Sequence, residues 1–490
     1  MRRITPIARI AAAAGLALCS TAALAGPGVT ITPIVLEGDL YTGFPIASGF
    51  GASENHAINN LGVWLVESDT TDPATDFDGL VIRGEGAAGP RTVHFTEGQS
   101  LALPAGSFLD SFDALSINTA GNTAHNFFLD GTAGGSFDSG VYFNDMLVIQ
   151  ESATSTASGF STNTVYTGWF EARINNQDQI IMMASVDDPE IASTTDRAVV
   201  LVENPAGAYT ETVISKESDA LLGRSVVDFS TGPHSLAFRD NARVAFIADL
   251  DGDTAGDGAI LHYDGSTLNV LAQEGTPSAI AGRNWGTLLG VPIDINNSGD
   301  WVMRGDLDGA TTDDSLIVKN GTQVIAREGD PVPAAIGAFA FTGFGTGAVA
   351  IDDAGNVFYF AQWNDPDTSR NQGIFVNNEL LVQKGVTLID GQTLSALAAG
   401  ESNFSVSHNG RFIVFEGTLA DTRDGAFLID RGEPSCPADF DENGDVEVPD
   451  IFAFLSAWFA SDPSAEFDGV PGIAVPDIFA FLSLWFAGCD

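Results

Sequence analysis

Basic residues are scarce in this chain, and lysine is the rarest of them. The 490 residues include 20 Lys and Arg against 65 Asp and Glu, which gives a formal net charge of −45. The lysines are Lys216, Lys319 and Lys384. A surface of this sign repels a phosphate backbone, which argues against a nucleic-acid-binding function. It is typical of a protein that stays hydrated in salty surroundings.

Long apolar runs are missing after the N-terminus. Residues 1–25 contain Arg2, Arg3 and Arg9, then an Ala- and Leu-rich run, then a small-residue A-L-A site before Gly26. This order predicts a secretory signal peptide. No later apolar run is long enough to cross a bilayer, so no membrane span is expected.

Cysteine is also rare. Cys19 would be removed with the signal peptide, which leaves Cys436 and Cys489. In an exported protein, two cysteines that bracket one short segment predict a disulfide.

A helical period is absent between Gly28 and Asp430, and one strand-like pattern recurs instead. Each copy has an apolar residue, then a polar residue (most often Asn or Asp), a short turn and a strand. The copies are spaced 55 to 64 residues apart and begin at Ile58, Ile117, Ile174, Phe238, Ile295, Ile351 and Val406. Each repeat offers about four strand-like runs, which predicts a mainly β chain forming a seven-bladed β-propeller of four-stranded blades. A linear β-solenoid is the alternative.

The two ends of the repeat region complement each other. The seventh repeat stops after the strand-like run at 424–430, whereas residues 30–43 have the form of the missing piece, as seen at 324–337. We therefore expect an N-terminal strand to complete the last blade, because a ring closed in this way exposes no sheet edge.

The repeats resemble those of exported bacterial proteins with tandem N-x-x-G-x-x-x-F motifs and varied C-terminal anchoring segments. The N-x-x-G half is present at 59–62, 118–121 and 296–299, whereas Asp178 and Ala242 replace Gly in two copies. The closing Phe occurs as Phe246. The resemblance implies an exported repeat protein and no particular chemistry.

Candidate catalytic or metal-ligating groups in the ring are numerous but unspecific. Asp-rich loops recur at 249–257, 306–314, 365–367 and 421–424, and we interpret them as hairpin turns forming one acidic rim, with calcium binding as the alternative. A glycosidase needs two flanking carboxylates, and the sequence nominates no pair. The six His residues are scattered and are expected on the surface or in turns. Trp64, Trp301 and Trp363 lie in or beside the repeated strands and are expected in the core.

A different pattern begins after Asp430 and a short linker. Five oxygen-bearing residues fall at positions 1, 3, 5, 7 and 12 of an EF-hand-like loop, with Gly444 at position 6, and they predict a calcium site: Asp439, Asp441, Asn443, Asp445 and Asp450. The segment V-P-D-I-F-A-F-L-S-A-W-F-A at 448–460 then returns at 475–487 with one change. The second loop keeps Glu466, Asp468 and Asp477, but Val470 and Pro471 replace the ligand and the Gly.

The pair of loop and helix units between Cys436 and Asp490 resembles a dockerin domain of the type that ends in Gly-Cys. The resemblance implies calcium as the cofactor and a cohesin as the protein partner. It places partner-binding residues at Val448 and Pro449, with Val475 and Pro476 as symmetry mates. Phe452 and Phe459, with Phe479 and Phe486 as their copies, share one helix face. We expect this face to dock the partner and the other face to pack inside the module, with a core that contains all of these apolar residues as the alternative.

These observations divide the chain into a signal peptide (1–25), a propeller (26–431), a linker (432–437) and a dockerin-like module (438–490). We expect a secreted, non-catalytic recognition protein that is anchored through the module to a cell surface or extracellular assembly and binds a polysaccharide or a protein. A dockerin-borne glycoside hydrolase or lyase is the alternative.

Overall fold

The computed structural model describes most of the ring and of the two C-terminal loop and helix units. The described residues are 29–47, 55–191, 196–232, 234–252, 254–400, 403–432, 438–441, 446–467 and 472–488. The predicted signal peptide, Cys436 and Cys489 lie outside them.

The strands follow one another along the chain as antiparallel groups. The N-terminal ones are β1 (Thr30–Leu36), β2 (Leu40–Tyr41) and β3 (Phe44–Pro45). Blade 1 contains β4 (His56–Ile58), β5 (Val63–Asp69), β6 (Gly79–Glu85) and β7 (Arg91–Thr96). Blade 2 contains β8 (Phe108–Ile117), β9 (Thr123–Asp130), β10 (Ser139–Phe143) and β11 (Met146–Gln150). Blade 3 contains β12 (Val165–Ile174), β13 (Ile180–Asp187), β14 (Asp196–Glu203) and β15 (Thr210–Lys216).

In the second half of the ring, blades 4, 6 and 7 contain more than four strands. Blade 4 contains β16 (Ala220–Leu221), β17 (Arg224–Phe229), β18 (Leu236–Arg239), β19 (Arg243–Leu250), β20 (Gly258–Asp264) and β21 (Leu268–Gln273). Blade 5 contains β22 (Ile293–Ile295), β23 (Trp301–Gly305), β24 (Leu316–Lys319) and β25 (Gln323–Arg327). Blade 6 contains β26 (Phe341–Gly343), β27 (Val349–Ile351), β28 (Val357–Trp363), β29 (Gln372–Val376) and β30 (Glu379–Gln383). Blade 7 contains β31 (Leu388–Ile389), β32 (Gln392–Leu397), β33 (Phe404–Val406), β34 (Phe412–Leu419) and β35 (Asp424–Asp430).

Each blade has four consecutively paired strands, so the predicted seven-bladed propeller is confirmed. In blade 3, for example, the order from the axis outwards is β12, β13, β14, β15. The second and third strands are nearly all apolar, as in the I-I-M-M-A-S-V run of β13, because adjacent blades cover both of their faces. Trp64, Trp301 and Trp363 are buried in this core, as expected.

The N-terminal strand closes the ring as predicted. β1 pairs antiparallel with β35, so that Thr30 lies opposite Asp430 and Leu36 opposite Gly425. Ile34 and Val35 in the middle of β1 are fully buried. β1 thus supplies the fourth strand of blade 7 and covers its open edge.

The asparagine of the N-x-x-G turn links neighbouring blades. Asn296 Oδ1 accepts hydrogen bonds from the backbone N–H groups of Ser298 and Asp300 in its own turn. Its Nδ2 donates to the carbonyl of Asp352 in the next blade, at 3.0 Å. Asn59, Asn118 and Asn175 do the same, since each accepts in its own turn and donates to the next blade. The repeated Asn is therefore part of a hydrogen-bonded belt around the ring.

The fourth residue of the same turn lies in the left-handed region. Gly62 has φ 75° and Gly299 has φ 87°. Asp178 and Ala242, which replace this Gly, have φ 55°. The turn is thus kept without glycine, although a side chain is disfavoured there.

The C-terminal part is helical. α1 (Val448–Ala460) and α2 (Val475–Ala487) carry the repeated segment, with a short 3-10 helix at Pro463–Ala465 between them. Across the described residues, no helix has the length and apolar character needed to span a membrane.

Candidate functional site

Three carboxylates meet in front of α1. Asp439, Asp441 and Asp450 each offer an oxygen, and these oxygens lie within 4.8 Å of one another. Among the described residues this is the one group of three or more potential metal-ligating side chains that close together. Asn443 and Asp445, the other predicted ligands, lie outside the described residues. Carboxylate oxygens at this spacing suit Ca²⁺.

Asp450 is held in place by its own loop. It is fully buried, and its two oxygens accept hydrogen bonds from the backbone N–H groups of Asp441 (3.1 Å) and Glu447 (2.8 Å). Burial opposes ionisation, but the backbone hydrogen bonds outweigh it and lower the pKa of Asp450 below its usual value. The carboxylate is therefore ionised and oriented as a cation ligand requires.

The second loop also has a buried Asp that accepts two backbone hydrogen bonds. Asp477 is fully buried, and it accepts hydrogen bonds from the backbone N–H groups of Phe467 (2.8 Å) and Ala474 (2.7 Å). Glu466 is half-buried beside Phe467, whereas Asp468 lies outside the described residues. Calcium occupancy of this degenerate loop stays a prediction.

The two helices pack as near-symmetric partners. Phe454 and Phe481 are fully buried and stack with ring centroids 4.2 Å apart. Trp458 Nε1 donates to the carbonyl of Ala474 at 2.9 Å. Reciprocally, Trp485 Nε1 donates to the carbonyl of Glu447 at 3.0 Å. Each helix is thereby fixed to the loop in front of the other.

The opposite helix faces remain exposed. Phe459 and Phe486 are 77% and 78% exposed, and Phe452 and Phe479 are each 65% exposed. The other predicted partner-binding residues, which are also exposed, are Val448, Pro449, Val475 and Pro476. We call these eight residues the paired apolar patch. Exposed apolar side chains at this density are typical of protein-binding surfaces, and partner binding by this patch stays a prediction.

The Asp-rich loops of the ring are organised by arginine. Arg224 donates to the carbonyls of Leu250, Asp251 and Gly256, and therefore holds the loop between β19 and β20. In blade 5, Arg327 donates to Asp313 in the loop between β23 and β24, both to its carbonyl (2.9 Å) and to its carboxylate (2.8 Å). These contacts favour the hairpin-turn interpretation over calcium for the described residues of these loops.

The loops do form one acidic rim. In each blade the inner strand runs towards the Asn turn and the second strand returns from it. The loop between the second and third strands consequently lies at the end of the ring where the inner strands begin. The loops at 251–257, 306–315, 364–371 and 420–423 all occupy this position.

A polar cavity lies on the ring axis. It has a volume of about 120 Å³ and is lined by residues of all seven inner strands or of the segments beside them. Half of the eight polar residues in the lining are the residue before the repeated apolar one, namely Ser116, Arg173, Asp294 and Ser405. The alternation of side chains along a strand directs this position towards the axis. These residues were not predicted from the sequence, although a charged residue next to a repeated isoleucine was the signal that could have found them.

The expectation of surface or turn positions holds for some histidines only: His234 and His408 lie in turns, whereas His125 and His262 are buried in strands. His56, His234 and His408 line the axial cavity, and His125 is fully buried and stacks on Phe127. Burial, together with the nearby Arg239 charge, lowers the pKa of His408 well below its usual value. The inner strands converge on the axis, which brings together histidines that are far apart in the sequence.

Buried carboxyl groups occupy the same end of the ring as the acidic rim. Glu67 accepts a hydrogen bond from Asn55 Nδ2 at 2.7 Å, and burial raises its pKa to about 8. Burial also raises the pKa of Glu171 to about 7, although Arg173 lies 3.3 Å away. Asp113 adds to both shifts by its negative charge. Such groups hold a proton near neutral pH and can donate it.

Comparisons with solved structures find similarities at low sequence identity. A Trypanosoma rangeli sialidase shares 10% identity at a TM-score of 0.32, and the match covers 91% of this chain and 63% of the sialidase. A Penicillium chrysogenum alpha-L-arabinanase shares 10% identity at a TM-score of 0.34, and the match covers 82% of this chain and 99% of the enzyme. These similarities assign no activity to the chain. No curated protein matches it.

A family model matches the ring twice in tandem. The matches cover residues 20–221 and 209–428, and the model is described as a family of unknown function, DUF7453. Together they span the β-propeller and most of the chain. The chain therefore belongs to the DUF7453 family.

Proposed function

We propose that the chain is a secreted, non-catalytic recognition protein whose propeller is attached to an extracellular or cell-surface assembly through the C-terminal module. The module would bind calcium at Asp439, Asp441, Asn443, Asp445 and Asp450 and then dock onto a cohesin-type protein. The observation that carries this proposal is the paired apolar patch, which is exposed on both helices while their other faces are packed. The propeller would bind a polysaccharide or a protein at its acidic rim.

Calcium and docking are coupled in this proposal. The buried oxygens of Asp450 link the calcium loop to the start of α1, so the loss of calcium frees the helix that carries Phe452 and Phe459. Metal binding of this kind contributes directly to the folding free energy of a small module. Chelation should therefore loosen the module and abolish docking.

The test is a calcium titration of the full chain, followed by binding to a panel of immobilised cohesin domains. We expect calcium to bind the wild type, Asp441→Asn to weaken this binding strongly, and docking to require calcium. Phe459→Ser with Phe486→Ser should abolish docking without changing calcium binding. Leu388→Ser, at a side chain of the ring that is 64% exposed, is the matched control. Docking that persists in chelator would contradict the proposal.

A second candidate is a dockerin-borne polysaccharide hydrolase or lyase, and one observation favours it. Glu67, Asp113 and Glu171 lie near one another at the acidic end of the ring, and burial keeps their pKa values high. A protonated carboxyl group beside an ionised one is the pairing that glycoside hydrolysis uses. Incubation with acidic and neutral polysaccharides distinguishes the two candidates. Reducing ends that accumulate with the wild type and not with Glu67→Gln would establish the enzyme, whereas retention without release supports recognition.

A further inference from the structure

The axial cavity has more basic than acidic side chains in its lining, although the chain as a whole is acidic. Arg173, Arg239 and Asp294 line it together with His56, His234 and His408. Three of the six histidines of the chain thus meet in one cavity. The two guanidinium groups exceed the one carboxylate of the lining, in a protein whose net charge is −45.

Arg239 has a donor that the protein leaves unused. Its Nη2 lies 2.9 Å from both oxygens of Asp294, and its Nη1 donates to the carbonyl of Phe238 at 2.9 Å. Its Nε is buried and has no hydrogen-bond partner, and the residue is 8% exposed. A buried, unsatisfied donor of a charged group is costly, so it is normally matched by an oxygen of a ligand or a water.

Asp294 and His408 line the cavity together with Arg239. Asp294 is fixed by backbone N–H groups from two blades, at Ile295 and Ile351, both at 2.9 Å. Asp294 therefore holds the Arg239 side chain in one orientation. His408 lies near Arg239 and lines the same cavity. An imidazole that gains a proton next to an anion would become a second charged donor.

We propose that the axial cavity binds one small oxyanion, either a carboxylate or an inorganic anion such as sulfate, with its oxygens on the guanidinium group of Arg239 and on His408. The cavity of about 120 Å³ holds several times the space that one water needs, which is about 10–15 Å³. A guanidinium group suits such oxyanions because its planar donors match their oxygens. The site belongs to the ring, so it holds whether or not the C-terminal module docks a partner.

The experiment is histidine-selective NMR of the full chain, titrated with sodium acetate and, separately, with sodium sulfate against sodium chloride at equal ionic strength. We expect the His408 signal, assigned with His408→Gln, to shift saturably with one or both anions and not with chloride. A response to acetate alone identifies a carboxylate ligand, and a response to sulfate identifies an inorganic one. If neither anion shifts any of the three cavity histidines more than chloride does, the proposal is wrong.

Two variants make the test specific. Arg239→Lys keeps the charge beside Asp294 but removes the planar set of guanidinium donors, and we expect about tenfold weaker binding. Ala350→Leu fills the cavity from its wall without changing any charge, and we expect it to abolish the saturable shift. Ala334→Leu, on an exposed part of the ring, is the matched control. Binding by Ala350→Leu at wild-type affinity would overturn the assignment to the axial cavity.

Discussion

At the scale of single residues, the repeated asparagine needs both halves of its amide. Asn296 is fully buried, accepts in its own turn and donates to the next blade. Asn296→Asp keeps the acceptor and loses the donor, and it places a carboxylate against the Asp352 carbonyl. We expect the free energy of unfolding to fall by about 1–3 kcal/mol in urea titrations. Asn269→Asp, at an exposed position of β21, should change it little.

The glycine of the same turn is required by its conformation and by its neighbour. Gly410 has φ 72°, and a Cβ there would overlap Asp352 Oδ2 of the preceding blade. Gly391 has φ 78° and no atom within 4 Å of such a Cβ. Both Gly→Ala changes incur the left-handed penalty of about 1–2 kcal/mol. Gly410→Ala should therefore lower the melting temperature more than Gly391→Ala, and equal effects would show that the contact with Asp352 is unimportant.

The sequence motif predicted these turns but not the belt. N-x-x-G describes a local turn, and the acceptor of Asn296 Nδ2 lies 56 residues further along the chain. Ala242 and Asp178 looked like losses of the motif, yet both keep the same backbone conformation. The turn is stabilised by its asparagine and by the blade packing as well as by its glycine.

At the scale of elements, closure of the ring depends on β1. Ile34 is fully buried and packs among Trp64, Val414 and Leu428 of blades 1 and 7. We expect Ile34→Ala to reduce the free energy of unfolding by about 2–5 kcal/mol, because it leaves a cavity between the first and last blades. Leu40→Ala removes a side chain that is 74% exposed and should have little effect. Similar urea midpoints for the two variants would contradict a closing role for β1.

The four-strand blades could be predicted because hydrophobic alternation and turn residues are local signals. The extra strands β17 and β32 could not be predicted, because each lies between two repeats. Each pairs with the second strand of the blade that follows it in sequence. Such pairing is fixed by packing between blades and leaves no periodic mark. The C-terminal helices were predictable for the opposite reason, because the same thirteen-residue segment occurs twice with one change.

At the scale of the whole molecule, the seven-fold arrangement creates sites that no single repeat contains. The axial cavity draws on residues from 56 to 408, one short stretch from each blade. The repeat of 55 to 64 residues predicted the ring. The Asp-rich loop has the same position in several repeats, and this predicted the acidic rim. Neither predicted the charge on the axis, since Arg173, Arg239 and Asp294 occur once each and meet only when the ring closes.

The same ring should become more stable as the pH falls from about 8 towards about 5. Burial raises the folded-state pKa of Glu67 to about 8 and of Glu171 to about 7, against an unfolded value of 4.5. Between these values the folded chain binds more protons than the unfolded chain, so the free energy of unfolding decreases as the pH rises. Glu67→Gln, which keeps an oxygen for Asn55, should flatten this slope, whereas Glu379→Gln at an exposed position should leave it unchanged. Urea unfolding at saturating calcium measures both, and an unaltered slope in Glu67→Gln would show that this carboxyl group is already ionised in the folded ring.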